Sequence, residues 1–197
     1  MFFRNFAIIM LEMNEVLLKG GKHACSMMAE EGQVTCLTTP GADLSSTPLR
    51  WLYAVLGFEP VTSGFISLDG EPLTVRSAAA MRRFMSFVPF VLDDVGEITI
   101  YHAPTAHDVY ALKANRRKRV RSLQDEMKLT GAAGQQARLM ATAVLLERPV
   151  LLVDRPQPSA MPYLHRLAEA GRTVIVASND TTVKSSADNI VEIIDYT

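Results

Sequence analysis

The segment TTPGADLSSTPLRWLYAVLG, ending at Gly57, sets a glycine-containing turn and three consecutive hydroxyl residues ahead of an apolar, helix-like stretch. Backbone N–H groups at such a turn, together with the positive end of the helix dipole, attract anions and phosphate above all. Gly41, Ser45, Ser46 and Thr47 therefore read as a phosphate-binding loop. It contains no lysine, and Asp43 adds a carboxylate that competes for the same positive helix end. Taken alone, the segment reads equally well as an ordinary capped turn. Other chemistry is hard to find. His23, His102, His107 and His165 lack metal-ligand spacing, no Gly-x-Ser-x-Gly elbow occurs, and Cys25 and Cys36 form neither a metal pattern nor a disulfide framework.

The elements that must position these residues alternate along the chain. FAIIML, GQVTCLT and GFISLDG read as short strands punctuated by glycine and proline. From Ser46 to Leu56 the residues Leu49, Leu52, Tyr53 and Leu56 recur at helical spacing, behind a Ser-Ser-Thr cap with Pro48 in the first turn. Ala111 to Met127 reads as a second helix, with Leu112, Val120, Leu123 and Met127 on one side and the run RRKRVR, Arg116 to Arg121, mostly on the other. That run suits a solvated face, or else an acidic partner or anionic lipid surface. GQQARLMATAVLLE reads as a helix, VLLVD as a buried strand, SAMPYLHRLAEAG as a helix and TVIVASND as another buried strand, the alternation of a parallel sheet. Met81, Met85, Met127 and Met140 read as helix-packing residues.

At 197 residues, 48% hydrophobic, with 20 basic against 21 acidic side chains, the chain suits one soluble α/β domain spanning 1–197. The balanced charge gives no reason to expect a nucleic-acid partner. The opening MFFRNFAIIMLEMNE is too briefly apolar and too soon acidic for an export signal, and no apolar run reaches membrane-spanning length. A cytoplasmic location is expected, peripheral at the inner face of a membrane if a partner tethers it there.

The order of segments resembles the nucleotide-binding domain of ATP-binding cassette (ABC) proteins along nearly the whole chain. GQVTCLTTPGADLSSTPLRWL, SGFISLDGEPL, FMSFVPF, LTGAAGQQARLMATAVLLERPVLLVDRP and GRTVIVASND stand in the family's order at near-family spacing. The resemblance implies a P-loop NTPase-like α/β fold: a mostly parallel core sheet, an N-terminal antiparallel β part and a reduced helical subdomain. Residues 1–90 and 131–197 would form the core, and about 91–130 the subdomain.

The resemblance also exposes what has changed. In the family a GxxGxGK[ST] loop wraps the phosphates, its lysine reaches them and its hydroxyl holds Mg²⁺. Here Thr39, Ala42, Leu44 and Ser45 fall on the three glycines and the lysine, while Ser46 and Thr47 keep the hydroxyls. A lost charge-assisted contact of that kind is worth about 1.5–3 kcal/mol. Phe90 falls on the glutamine that touches Mg²⁺ and the attacking water. Ala132 falls on the signature serine, although Gly134 and Gln135 remain. Asp154 matches the aspartate that holds Mg²⁺ through water, yet Arg155 falls on the general-base glutamate, and a guanidinium cannot accept water's proton. Asn179 falls on the switch histidine and cannot titrate, and Val16 to Gly20 offers no adenine-stacking aromatic.

The expectation is thus a catalytically inactive ABC-type domain acting through a membrane permease subunit, a second ABC-type domain or a homodimer, with no cofactor. Its degenerate site would comprise Gly41, Asp43, Ser45, Ser46, Thr47, Gly134, Gln135, Arg155 and Asn179, with Asp154 and Ser46 as the metal positions if Mg²⁺ binds at all. Alternatives are a working ATPase subunit that binds Mg-ATP in sites completed by an active partner, or an anion or small-ligand module. Two geometric expectations follow: Arg155 lies near Asp43 or Asp154, and Phe90 packs inward between the two lobes.

Overall fold

The computed structural model describes residues 10–40, 48–90 and 132–194, with Ser122 and Asp125, which are helical. Alternating burial builds the N-terminal part. In β1 (Leu11–Leu18) the residues Leu11, Met13, Val16 and Leu18 are buried while Glu12, Asn14 and Glu15 face outward or toward the rim. β1 lies between β2 (Cys25–Ala29) and β4 (Val61–Leu68), and the two-residue β5 (Glu71–Pro72) completes an antiparallel sheet of order β2-β1-β4-β5. A bulge shifts the β1 register after Met13 and Asn14. Glu15 takes φ 48° there, and Gly64 opposite has φ 75°. A Cβ on Gly64 would lie 2.2 Å from the Glu15 carbonyl oxygen, so only glycine allows β4 to approach the bulge this closely.

A second sheet is wholly parallel, with order β6-β7-β8-β3-β9. Its strands are β3 (Val34–Thr38), β6 (Met85–Val88), β7 (Val150–Asp154), β8 (Thr173–Ala177) and β9 (Asn189–Glu192). Strands β3, β6, β7 and β8 are buried along their length because both faces are covered, which is why they read as largely apolar runs. Period-two alternation divides their side chains. Leu37, Phe87, Val150, Leu152 and Ile175 join one core with the antiparallel sheet and α1 (Leu49–Val55). Cys36, Val88, Leu151, Val153, Val174 and Val176 join a second core with α3 (Ala132–Leu145) and α4 (Met161–Glu169). Two short α-helices, α2 (Ala78–Met81) and α5 (Thr181–Ser186), and two 3-10 turns at Arg82–Phe84 and Pro158–Ala160 are also described.

Several expectations are corrected. The helix begins at Leu49, with Pro48 as its N-cap and no side-chain capping bond. Proline's fixed φ suits that position, and its carbonyl accepts from the Trp51 and Leu52 amides. Most of the expected strand FAIIML, residues 6–9, lies outside the described residues; the first described strand is LEMNEVLL, whose outward acids hide its alternation, and CSMMA and NIVE are strands the periodicity did not single out. Met85 opens β6 and is no helix residue. The expected helix from Ala111 to Met127 and the subdomain at about 91–130 lie outside the described residues, apart from Ser122 and Asp125.

Candidate functional site

Parallel strands deliver their C-terminal ends to one edge of a sheet, and ligand sites of α/β proteins form there. At this edge β6 ends before Pro89 and Phe90, β7 in Asp154 followed by Arg155, β8 before Ser178 and Asn179, and β3 in Thr38 followed by Thr39. The order β6-β7-β8-β3 brings Phe90, Arg155, Asn179 and Thr39 into one row although they are far apart in sequence.

Asp154 is 1% exposed. Arg155 adopts φ 45°, left-handed backbone that a side chain rarely takes. Neighbouring side chains on a strand point to opposite faces, but this turn folds the Arg155 side chain back toward its predecessor. Arg155 Nε donates to Asp154 Oδ1 and Oδ2 at 3.3 and 3.2 Å, and Nη2 donates to Oδ2 at 3.2 Å. The guanidinium carbon lies 4.5 Å from the centre of the Phe90 ring, a cation–π contact. Phe90, expected to pack inward between the two lobes, is half-buried beneath the guanidinium, and the second lobe lies outside the described residues. A guanidinium is planar and carries its donors in its edge, so one group can face a ring and still bond a carboxylate.

Asn179 has turned to the root of the loop. Its Oδ1 accepts from Thr38 Oγ1 at 3.0 Å and from the Thr39 amide at 2.9 Å, and its Nδ2 donates to Thr39 Oγ1 at 2.9 Å. Next to it, Asp180 caps α5 through the Thr182 and Val183 amides at 2.8 and 3.0 Å. Beneath this edge Cys36 is fully buried, and burial pushes its thiol up to about 11, so it stays neutral and unreactive near pH 7.

Among the sequence-predicted residues, the structure brings Asp154 and Arg155 into contact and sets Asn179 on Thr38 and Thr39 at the same edge. Gly134 and Gln135 belong to the first turn of α3. Gly41, Asp43, Ser45, Ser46 and Thr47 lie outside the described residues, so the Arg155–Asp43 pairing does too. Among the described residues no group of three His, Cys, Asp or Glu could hold a metal ion. A cation at Asp154 would have to displace the guanidinium from both carboxylate oxygens.

Sequence reasoning missed two contributors, Thr38 and Gln136, and read Thr39 only as a replaced P-loop glycine. Gln136 is 1% exposed and its Nε2 donates to the Asp154 carbonyl at 2.8 Å and the Pro89 carbonyl at 3.4 Å. A signal for it existed, since Gln136 stands one turn before Met140 on the core side of a helix.

Solved structures share this architecture. A dimeric bacterial ABC transporter cassette superposes over 94% of this chain and 94% of its own, with a TM-score of 0.67 and 18% identity. The chain has the ABC cassette fold. A subunit of a Clostridium perfringens ABC transporter complex matches it over 92% of this chain and 83% of its own, with a TM-score of 0.68 and 18% identity. A nucleotide-free ATP-binding cassette covers 94% and 88%, with a TM-score of 0.68 and 13% identity. In sequence, an ABC transporter ATP-binding/permease protein of Mycobacterium tuberculosis is 27% identical over 191 residues, covering 84% of this chain. The chain spans about a fifth of that curated relative, 21% of its length. No protein-family model matches the chain. Within the cassette fold, the site edge described above is where the resemblance expects the nucleotide.

Proposed function

We propose that this chain is a cassette-fold domain that hydrolyses no ATP and acts by binding a protein partner, either a membrane permease subunit or a second cassette domain. The observation that carries the reading is Arg155. It stands where the resemblance expects a general base, it cannot take a proton from water, and its donors occupy both oxygens of Asp154. Asn179, at the switch position, is committed to Thr38 and Thr39. The described edge therefore fits Mg-ATP poorly.

Support for a partner lies elsewhere on the surface. A cleft of about 380 Å³ is lined by Leu68, Ala80, Met81 and Phe84, with Asp69, Glu71 and Ser77 alongside. Phe84 is 51% exposed and presents its ring at this cleft of mostly apolar side chains. No helix among the described residues is long and apolar enough to cross a membrane.

The test is affinity capture of the full chain from its native host, in parallel with Phe84→Glu. Recovery of a permease or cassette protein that the variant loses supports the reading, and recovery of neither overturns its partner half.

A second reading, a working subunit whose sites an active partner completes with Mg-ATP, is favoured by one observation. Asp154 is retained at the end of β7, near the first turn of α3 that carries Gly134 and Gln135.

A further inference from the structure

One side chain reaches both residues that precede the Arg155–Phe90 contact. Gln136 Nε2 bonds the carbonyl of Asp154, which immediately precedes Arg155, and the carbonyl of Pro89, which immediately precedes Phe90. Its amide group thus spans the ends of β7 and β6 from α3. The Asp154–Arg155 peptide is pinned on both sides, because the Arg155 amide donates to the Ala177 carbonyl at 2.8 Å. A left-handed non-glycine residue persists only where its surroundings over-determine it, and these two bonds are such a constraint. Gln136 Oε1 is buried without a hydrogen-bond partner among the described residues. An amide kept in an apolar helix face with half its capacity unused is explained by the work of its donor half.

We infer that Gln136 is the positioning residue that holds Arg155 against Phe90, an inference that rests on reading this closure as what keeps the edge inactive. Gln136 fixes the backbone beneath both residues, and the guanidinium then falls onto the ring and Asp154. Gln136 itself touches neither the guanidinium nor the ring through the bonds described. Because the first turn of α3 carries Gly134 and Gln135, a partner engaging that turn would act on the closure through the adjacent Gln136.

The test uses NMR of the full isotope-labelled chain. A proton held over an aromatic face is shifted upfield, so the Arg155 Nε–H resonance should be displaced in the wild type and return at least halfway to its exposed value in Gln136→Met. That substitution keeps the length and helix preference of the side chain and removes both the donors and the unpartnered acceptor. The Thr39 amide, bonded to Asn179, should not move. A displaced Arg155 signal that is unchanged in the folded variant overturns the inference and leaves the closure standing. No displacement in the wild type overturns the closure itself. If Gln136→Met does not fold, the wild type decides by side-chain amide exchange. Gln136 Nε2 protons exchanging about 100-fold more slowly than those of an exposed glutamine support the bracket, and equally fast exchange overturns it.

Discussion

Arg155 Cζ stands 4.5 Å from the centre of the Phe90 ring while Nη2 bonds Asp154 Oδ2 at 3.2 Å, so one guanidinium joins the ends of β6 and β7. The ion pair is asymmetric: the Asp154 side chain is 1% exposed and the Arg155 side chain 31%. On the proposed reading its consequence is chemical before it is energetic, since it sets donors where the resemblance expects an acceptor for water's proton.

The purified chain should turn over Mg-ATP no faster than a mock preparation from cells lacking it. A ligand at 100 times its dissociation constant stabilises a fold by about 2.7 kcal/mol, and millimolar Mg-ATP should produce no such rise in melting temperature. Turnover that disappears in Asp154→Ala would favour the working-subunit reading instead.

Arg155 pays for its position with backbone strain that glycine would not feel. Arg155→Gly and Arg155→Ala both lose the ion pair and the ring contact, but only alanine keeps a Cβ at φ 45°. Urea unfolding should therefore find the glycine variant more stable than the alanine variant by about 1 kcal/mol. Equal stabilities would mean that the left-handed turn is not retained in solution.

Gly64 and Gly32 both have positive φ, yet they differ in surroundings. A Cβ at Gly64 meets the Glu15 carbonyl at 2.2 Å, whereas one at Gly32 meets nothing within 4 Å. Gly32→Ala should cost about 1 kcal/mol of stability, from backbone strain alone. Gly64→Ala should cost more than about 2 kcal/mol and disturb the amide signals of β1 around Glu15. A Gly64 variant no worse than the Gly32 variant would argue against the bulge.

Burial raises the thiols of Cys25 and Cys36 from 9.0 to about 11. Between those values the unfolded chain has released protons that the folded chain keeps. Stability is unaffected by these groups below about pH 9 and falls as pH rises toward 11, by about 1.4 kcal/mol per unit for each thiol. Denaturant titrations of the wild type against Cys36→Ala at pH 8 and 10.5 read this as a steeper loss in the wild type. At pH 8 the native thiols should also resist iodoacetamide until denaturant is added.

Much of the architecture was legible in local pattern. VLLVD and TVIVA are near-continuous apolar runs of strand length, as a strand buried on both faces requires, and VTCLT departs from that pattern only by two threonines. Arg155, Asn179 and Ser45 could be singled out because their residue types contradict the chemistry their segment order implies, which needs no coordinates. Strand β1 was obscured because Glu12, Asn14 and Glu15 interrupt its hydrophobic run, and burial of the other face shows only after β2 and β4 pair with it. What Arg155 and Asn179 bond was decided in three dimensions. Asn179 bonds Thr39, 140 residues away, and Gln136 bonds Pro89, 47 residues away. Periodicity along a chain reports which face is buried, but not which side chain from another strand arrives beside it. Even Arg155 meeting its own neighbour Asp154 depended on a left-handed turn, held by the Ala177 and Gln136 bonds that only the assembled sheet and α3 supply.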